Sequence, residues 1–143
     1  MAEFHNDVRL SKFPFPDSQL TVNLASGITA THIGLAVTQD TSADNQVKLA
    51  GDGDPIFGIL YTVENRVTEG TLIGTVEFRF AAKLAIKTGL TGGAAVARGK
   101  RLIGAGAGEV KAITEATAAE FKYFASAPVC WSVEGTKAIA HKI

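Results

Sequence analysis

The chain has little with which to cross-link itself or hold a metal. It carries one cysteine, Cys130, in 143 residues. A single cysteine makes no internal disulfide, and no Cys/His spacing of a zinc site occurs. Synthesis in a reducing cytoplasm is expected. Neither sign of charge is in excess, with Lys plus Arg at 14 and Asp plus Glu at 14. That balance argues against a nucleic-acid binder, which carries a basic surplus, and against a polybasic membrane-surface protein. No apolar run approaches the ~20 residues of a membrane span. The N-terminus, MAEFHNDVRLSKF, scatters charges among its few apolar residues and lacks the apolar centre of a signal peptide. Neither secretion by the usual route nor membrane insertion is expected.

What is present is apolar and rich in turns. Hydrophobic residues make up 46% and charged residues 20%, and the mean hydropathy is +0.17. This is too apolar for a disordered chain. A mass of 15.0 kDa fits one domain. Folding at this size buries roughly two-thirds of the surface, so a core forms without disulfide or metal. A neutral, apolar chain suits a subunit that buries surface on a partner better than a free monomer. Fifteen glycines, spread at short intervals, punctuate short apolar runs, which is the pattern of strands and turns.

Residues 1–19 read as an extended arm, and residues 20–143 as a single β-rich domain. Phe13-Pro14-Phe15-Pro16 fits neither a helix interior nor a central strand, because its prolines lack an amide hydrogen. A frayed terminus is the bland reading. Three phenylalanines, Phe4, Phe13 and Phe15, in a tail too short for its own core favour an arm that docks on a neighbouring subunit. Short strands are expected at Leu20–Leu24, Ile33–Val37 and Val47–Ala50. Ile56–Val63 is apolar on both faces, as a strand buried on both sides would be. Thr75–Lys87 alternates strictly: Val76, Phe78, Phe80, Ala82, Leu84 and Ile86 face one way, and Glu77, Arg79, Ala81, Lys83, Ala85 and Lys87 the other. This is a strand with one wet face, about twice the usual ~5–6 residues. It is expected to bend near Ala81-Ala82 or to pass between sheets. Its polar face, Arg79 and Lys83 included, is solvent-exposed or an intersubunit surface, the former being the simpler reading. A short strand is expected within Gly89–Lys100, then strands at Arg101–Gly108 and Glu109–Ile113. Thr114–Phe124 is the helix candidate, with Thr114 as cap. Val129–Val133 and Lys137–Ile143 form a final hairpin. Gly27-Ile28-Thr29 and Gly89-Leu90-Thr91 echo one another, which a duplicated β unit or chance explains equally.

The glycine run Gly104 to Glu109 lacks the Lys-Ser/Thr ending of a phosphate loop and the spacing and helix of a dinucleotide site, so it reads as a turn. Asp52 and Asp54, with Asp40 and Asp44 upstream, depart from a calcium loop: Pro55 and Ile56 interrupt the ligand pattern and position twelve is Val63. A structural turn is expected there, with a weak surface cation site as the alternative. Cys130 lies in an apolar strand and reads as buried and inert. His5, His32 and His141 belong to no motif, and no nucleophile elbow or zincin helix occurs. Trp131, Tyr61 and Tyr123 could line a sugar platform, but core packing explains them more simply. No catalytic, cofactor-binding or metal residue is assigned, no cofactor is expected, and an enzyme is disfavoured.

The stretch DTSADNQVKLAGDGDPIFGILYTVEN, Asp40 to Asn65, resembles the small bacteriophage capsid decoration (cement) proteins. The features that carry the resemblance are the Asp/Asn turn, Val47 and Leu49, the turn Gly51 to Asp54, Phe57-Gly58 and Val63-Glu64. Gly70 to Phe80 and Gly104 to Ala112 resemble later strands of that family, so the likeness spans roughly residues 27 to 113. These motifs are structural and less specific than catalytic ones, and the arm and the helix candidate do not map onto the family. The resemblance implies a β-rich protein on the outer face of a phage head, made in the bacterial host cytoplasm. It implies binding to the major capsid protein and to itself, as a trimer or less often a dimer.

The expected fold is mostly β, a small barrel or sandwich with one short helix and the N-terminal arm. The expected function is a clip that stabilises the expanded shell by bridging neighbouring subunits, without nucleic acid or membrane partners. The arm, through Phe4, Phe13, Pro14, Phe15 and Pro16, is the candidate capsid contact, and its deletion should abolish binding without unfolding the domain. The alternatives are a low-copy tail or spike module binding host glycans, and a small β-barrel ligand carrier or enzyme.

Overall fold

The computed structural model describes residues 18–142. The arm, with Phe4, Phe13, Pro14, Phe15 and Pro16, lies outside the described residues. Five strands close a barrel: β1 (Gln19–Leu24), β2 (Ala36–Gln39), β3 (Gln46–Leu49), β4 (Gly58–Arg66) and β5 (Thr71–Glu77), in the order β1-β3-β2-β4-β5. All pairings are antiparallel except β1 with β3, which run parallel and touch only at Asn23–Gln46 and Leu24–Val47. A three-stranded sheet follows, order β6 (Phe80–Ala85), β10 (Lys137–Lys142), β9 (Val129–Glu134). The hairpin β7 (Leu102–Gly106) and β8 (Glu109–Ala112) is inserted in sequence between β6 and β9 of that sheet. The fold is therefore mostly β and built on a closed barrel.

Two cores explain the apolar runs. One fills the barrel with Val22, Leu24, Val37, Val47, Leu60 and Val76. The other gathers Ala36, Ile59, Phe80, Leu84, Leu102, Val110 and Cys130 from the barrel wall, the sheet and the hairpin. Neighbours in a strand point to opposite faces, so Val37 and Leu60 enter the first core while Ala36 and Ile59 enter the second. That is why Ile56 to Leu60 is apolar on both faces. The double burial stops at Leu60. A register shift between Leu60 and Thr62 follows, β5 alone pairs with β4 beyond it, and Tyr61 and Thr62 are exposed.

The hairpin β7–β8 is locked to the barrel by backbone. Gly104 N–H donates to the Asp54 carbonyl (2.9 Å) while Gly53 N–H donates to the Gly104 carbonyl (2.9 Å). On the same hairpin, Gly108 N–H donates to the Ala50 carbonyl (3.0 Å) and its own carbonyl accepts from Ala36 N–H (3.1 Å). Such an approach requires glycine at 104, since a Cβ there would meet the Gly51 carbonyl and lie 3.0 Å from Ala50 Cβ.

The alternating run of Thr75–Lys87 keeps its faces except at Glu77, expected on the wet face but buried. Val76, Phe80 and Leu84 are buried, and Arg79, Ala81, Lys83 and Lys87 are exposed. It passes from barrel to sheet, as expected, but the break falls at Phe78-Arg79 and not at Ala81-Ala82. At that break Phe78 N–H donates to the Ser18 carbonyl (3.0 Å), ending the barrel pairing before β6 starts against β10. Gln19, assigned to the arm, is the first residue of β1 and pairs with Glu77.

Three expectations are corrected. The helix over Thr114–Phe124 is a single turn, α1 (Ala118–Phe121), followed by a 3-10 turn at Phe124–Ser126. Its N-cap is Thr117, not Thr114, and its residues bury nothing fully. With no apolar stripe to dock, good propensity does not sustain a longer helix. Gly89–Lys100 holds no strand but a 3-10 turn at Gly92–Ala94. Ile33 to Leu35 is likewise turn, and β2 starts only at Ala36. The echo between Gly27 to Thr29 and Gly89 to Thr91 is local and real in conformation. In each, a positive-φ glycine precedes an extended Thr that opens a 3-10 turn, at Ala30–His32 and Gly92–Ala94.

Candidate functional site

Cys130 stands in β9 within the second core, 1% exposed, and burial pushes its thiol up. His32 and His141 lie on different elements, the Ala30–His32 turn and β10; His5 lies outside the described residues. Within Gly104 to Glu109 the turn is Ala107-Gly108, between the end of β7 and the start of β8: Ala107 (φ 51°) and Gly108 (φ 79°) both take the left-handed conformation such a two-residue link requires.

The aspartates serve turns and ion pairs. Asp40 accepts from the Ser42 hydroxyl (2.7 Å), from Gln46 Nε2 (2.7 Å) and from the Ser42 amide (3.0 Å). The Ser42 hydroxyl and Gln46 bonds hold its carboxyl at about 2, well below the ordinary 3.8. Asp54 accepts from the Gly51 amide (2.9 Å). Asp52 and Glu120 both pair with Lys111, at 2.7 and 2.9 Å, which ties α1 to the turn at Gly51 to Asp54. Partial burial pulls the Lys111 ammonium down, but its hydrogen bonds to both carboxylates outweigh this and leave its pKa raised. Among the described residues, no three His, Cys, Asp or Glu side chains gather as a metal site would need.

Lys142 lies near the end of β10. Its Nζ donates to the Ile56 and Phe57 carbonyls, each at 3.0 Å, and burial lowers its pKa. The lysine thus fastens β10 to the segment that leads into β4.

Core packing accounts for Tyr123, which packs on Ile103, Ile113 and Ala127. It does not account for Trp131 or Tyr61, which are 65% and 40% exposed. The reason for Trp131 is a bulge: Ala140 pairs with Cys130 and Ile139 with Ser132, leaving Trp131 without an opposite residue. Bulges re-aim side chains, and no pattern in Pro-Val-Cys-Trp announces one. Leu20, Ile33 and Val133 are also exposed, as are Phe121 and Phe124, whose rings stand 5.2 Å apart. Exposed apolar side chains therefore occur on the barrel, on β9 and beside α1. Arg79 and Lys83 are exposed, as the alternation predicts, and Lys83 pairs with Glu134 at 2.9 Å.

Hollows differ in their linings. One of about 210 Å³ opens where β1 parts from β3, lined by Leu20, Val22, Val47, Phe57 and amide side chains. Another of about 500 Å³ is lined by Asn23, Leu24, Ser26, Gly70 and Thr71 among others. Neither lining includes a charged residue. A third, of about 200 Å³, is lined by Arg101, His141 and Lys142 together with Ser126 and Val129.

A comparison of the chain with models of known protein families finds no match, and a search of curated proteins finds none either.

Proposed function

We propose that this chain is a bacteriophage head decoration protein, a non-enzymatic clip that binds the outer surface of the expanded shell and bridges neighbouring major capsid subunits. The observation that carries the reading is the placing of exposed apolar side chains on separate sheets: Leu20 and Tyr61 on the barrel, Trp131 and Val133 on β9. A bridging clip needs contact surface on more than one face. Large apolar side chains, tryptophan above all, are what protein interfaces use as anchors.

The resemblance of Asp40 to Asn65 supports the same reading. Its residues form β2-to-β4 connections of the barrel: the Asp40 turn, buried Val47 on β3, the Gly51–Asp54 turn and Gly58 at the start of β4. A clip acts by mass action, since it stabilises only the state it binds. Many copies multiply a modest interface into a large total effect. In this reading the chain is a homo-oligomer, a trimer by preference, and the arm is one of the shell contacts.

Copy number tests the proposal. Intact particles from an infected lysate are purified on a density gradient, and this chain is quantified against the major shell protein. A ratio near one, or a simple fraction such as one third or two thirds, is expected. A handful of copies per particle would favour a tail or spike role, and absence from particles would overturn the proposal.

A further inference from the structure

The hollow lined by Arg101, His141 and Lys142 sits on a cross-strand row. Val129 pairs with His141 on one side and bridges to Arg101 on the other. Residues opposite one another in paired strands share a face, so Arg101 and His141 flank Val129 on one surface. Two strand spacings put their backbones roughly 10 Å apart. The side chain between them is short, which leaves the hollow of about 200 Å³.

Every ionisable side chain lining this hollow is basic. Lys142 has its ammonium committed to the Ile56 and Phe57 carbonyls. Arg101 spends Nη1 on the Ala127 carbonyl (3.1 Å) and lies 5.4 Å from the centre of the Phe124 ring. That fixes the guanidinium while leaving donors of its fork unused. His141 stands against Trp131, ring centres 6.2 Å apart and edge to face. Outside its lining stand two exposed aromatic rings that contact these residues, Phe124 at Arg101 and Trp131 at His141. The nearest acid along β9 is Glu134, which pairs with Lys83.

We propose that this hollow receives a carboxylate side chain of a protein partner, held by Arg101 and His141 over Val129. The charge of the lining is complementary to an acid, in a chain whose overall charge is balanced. A guanidinium fork matches a carboxylate in geometry. Tryptophan and arginine are the residue types that anchor protein interfaces, and here Arg101 lines the hollow while exposed Trp131 stands against His141. A nucleic acid is a poorer fit, because its affinity comes from many phosphate contacts along a strand, and this surface offers one guanidinium and one imidazole.

The inference goes beyond the shell reading, and its test needs no shell, so either can fail without the other. The full chain is titrated with a blocked Gly-Asp-Gly peptide, with its Gly-Asn-Gly counterpart and with inorganic phosphate. Emission of Trp131, the one tryptophan of the sequence, and the backbone amide shifts of Arg101, Val129 and His141 are followed. The acidic peptide should give a saturable change at those amides and the amide peptide none. Arg101→Gln and His141→Gln should each weaken binding about tenfold. Should Arg101→Gln fail to fold, His141→Gln carries the test, because its side chain is partly exposed. Equal responses to the acidic and amide peptides, or unchanged affinity in a folded variant, would overturn the proposal. So would phosphate binding more tightly than the acidic peptide.

Discussion

Lys83 and Glu134 reach each other across a strand to which neither belongs. Lys83 Nζ lies 2.9 Å from Glu134 Oε2, and β10 runs between their strands. Ile139 pairs with Lys83 on one side and Ser132 on the other, so it shares their face, yet it is only 3% exposed. The polar face of the sheet thus encloses an apolar residue. Both partners of the ion pair are well exposed, and such pairs contribute about 0.2–1 kcal/mol. Burial of Ile139 is worth more, since large-to-small changes at buried aliphatic sites cost about 2–5 kcal/mol. Lys83→Ala should therefore shift the urea midpoint slightly, and Ile139→Ala should shift it severalfold more. Equal shifts would mean that the ion pair, not the buried side chain, organises this face.

Gly58 lies where β4 enters the barrel, and a Cβ there would meet the Glu77 carbonyl and lie 2.7 Å from Val76 Cγ1. The obstacle is backbone of the paired strand, which has no rotamer to change. Gly58→Ala should cost on the order of 1–3 kcal/mol, the range for overpacking. Gly27→Ala is the control for backbone strain alone, since no atom lies within 4 Å of its Cβ position but its φ is +92°. Chemical denaturation of both variants checks this, with Gly58→Ala the less stable.

Asp40 gives the fold an acid-sensitive corner. Its carboxyl is held at about 2 against an ordinary 3.8. A folded-state pKa below the unfolded one means the carboxylate stabilises the fold above pH 3.8, and that this contribution is lost as pH falls through about 2. Thermal melts of the protein and of Asp40→Asn should differ near neutrality and converge across that window. A constant gap at all pH values would show that the charge of Asp40 contributes nothing to the turn.

How much of this was legible in the sequence depends on how local each cause is. The alternation from Val76 to Leu84 was readable because period two survives even where the chain changes sheets. The final hairpin was readable because Gly135 separates two apolar runs. The break at Phe78-Arg79 was not, because it is set by a distant partner, the Ser18 carbonyl. The helix from Thr114 was overextended because alanine and glutamate favour a helix that nothing in the tertiary fold pays for. The parallel contact of β1 with β3 that closes the barrel leaves no mark on either strand. The Arg101–Val129–His141 row joins residues 12 or more positions apart, and the bulge that exposes Trp131 has no signature in its neighbours.

Cys130 offers a clock for opening of the second core. It is 1% exposed, and burial raises its thiol pKa, so the reactive thiolate is scarce in the folded state. In native buffer at mildly alkaline pH a thiol reagent should label it slowly, and in denaturant it should label at once and stoichiometrically. Rapid native labelling would mean that β9 separates from the core on the timescale of the reaction.

The arm can now be removed at the right place. Deleting residues 1–19, the boundary suggested by the sequence, would also take Ser18, which is fully buried, and Gln19, which pairs with Glu77 in β1. A deletion of residues 1–17 leaves both in place, including the bond from Phe78 N–H to the Ser18 carbonyl. The shortened chain should keep its melting temperature within a few degrees, since no described pairing is lost. If the arm is the shell contact, the same chain should fail to co-sediment with expanded particles that bind the full protein. Replacing Phe13 and Phe15 by serine in the full chain separates loss of the aromatic anchors from loss of length. Full binding by the shortened chain would move the shell contact to the exposed apolar residues of the folded domain, with Trp131→Ala as the next variant to spin with particles.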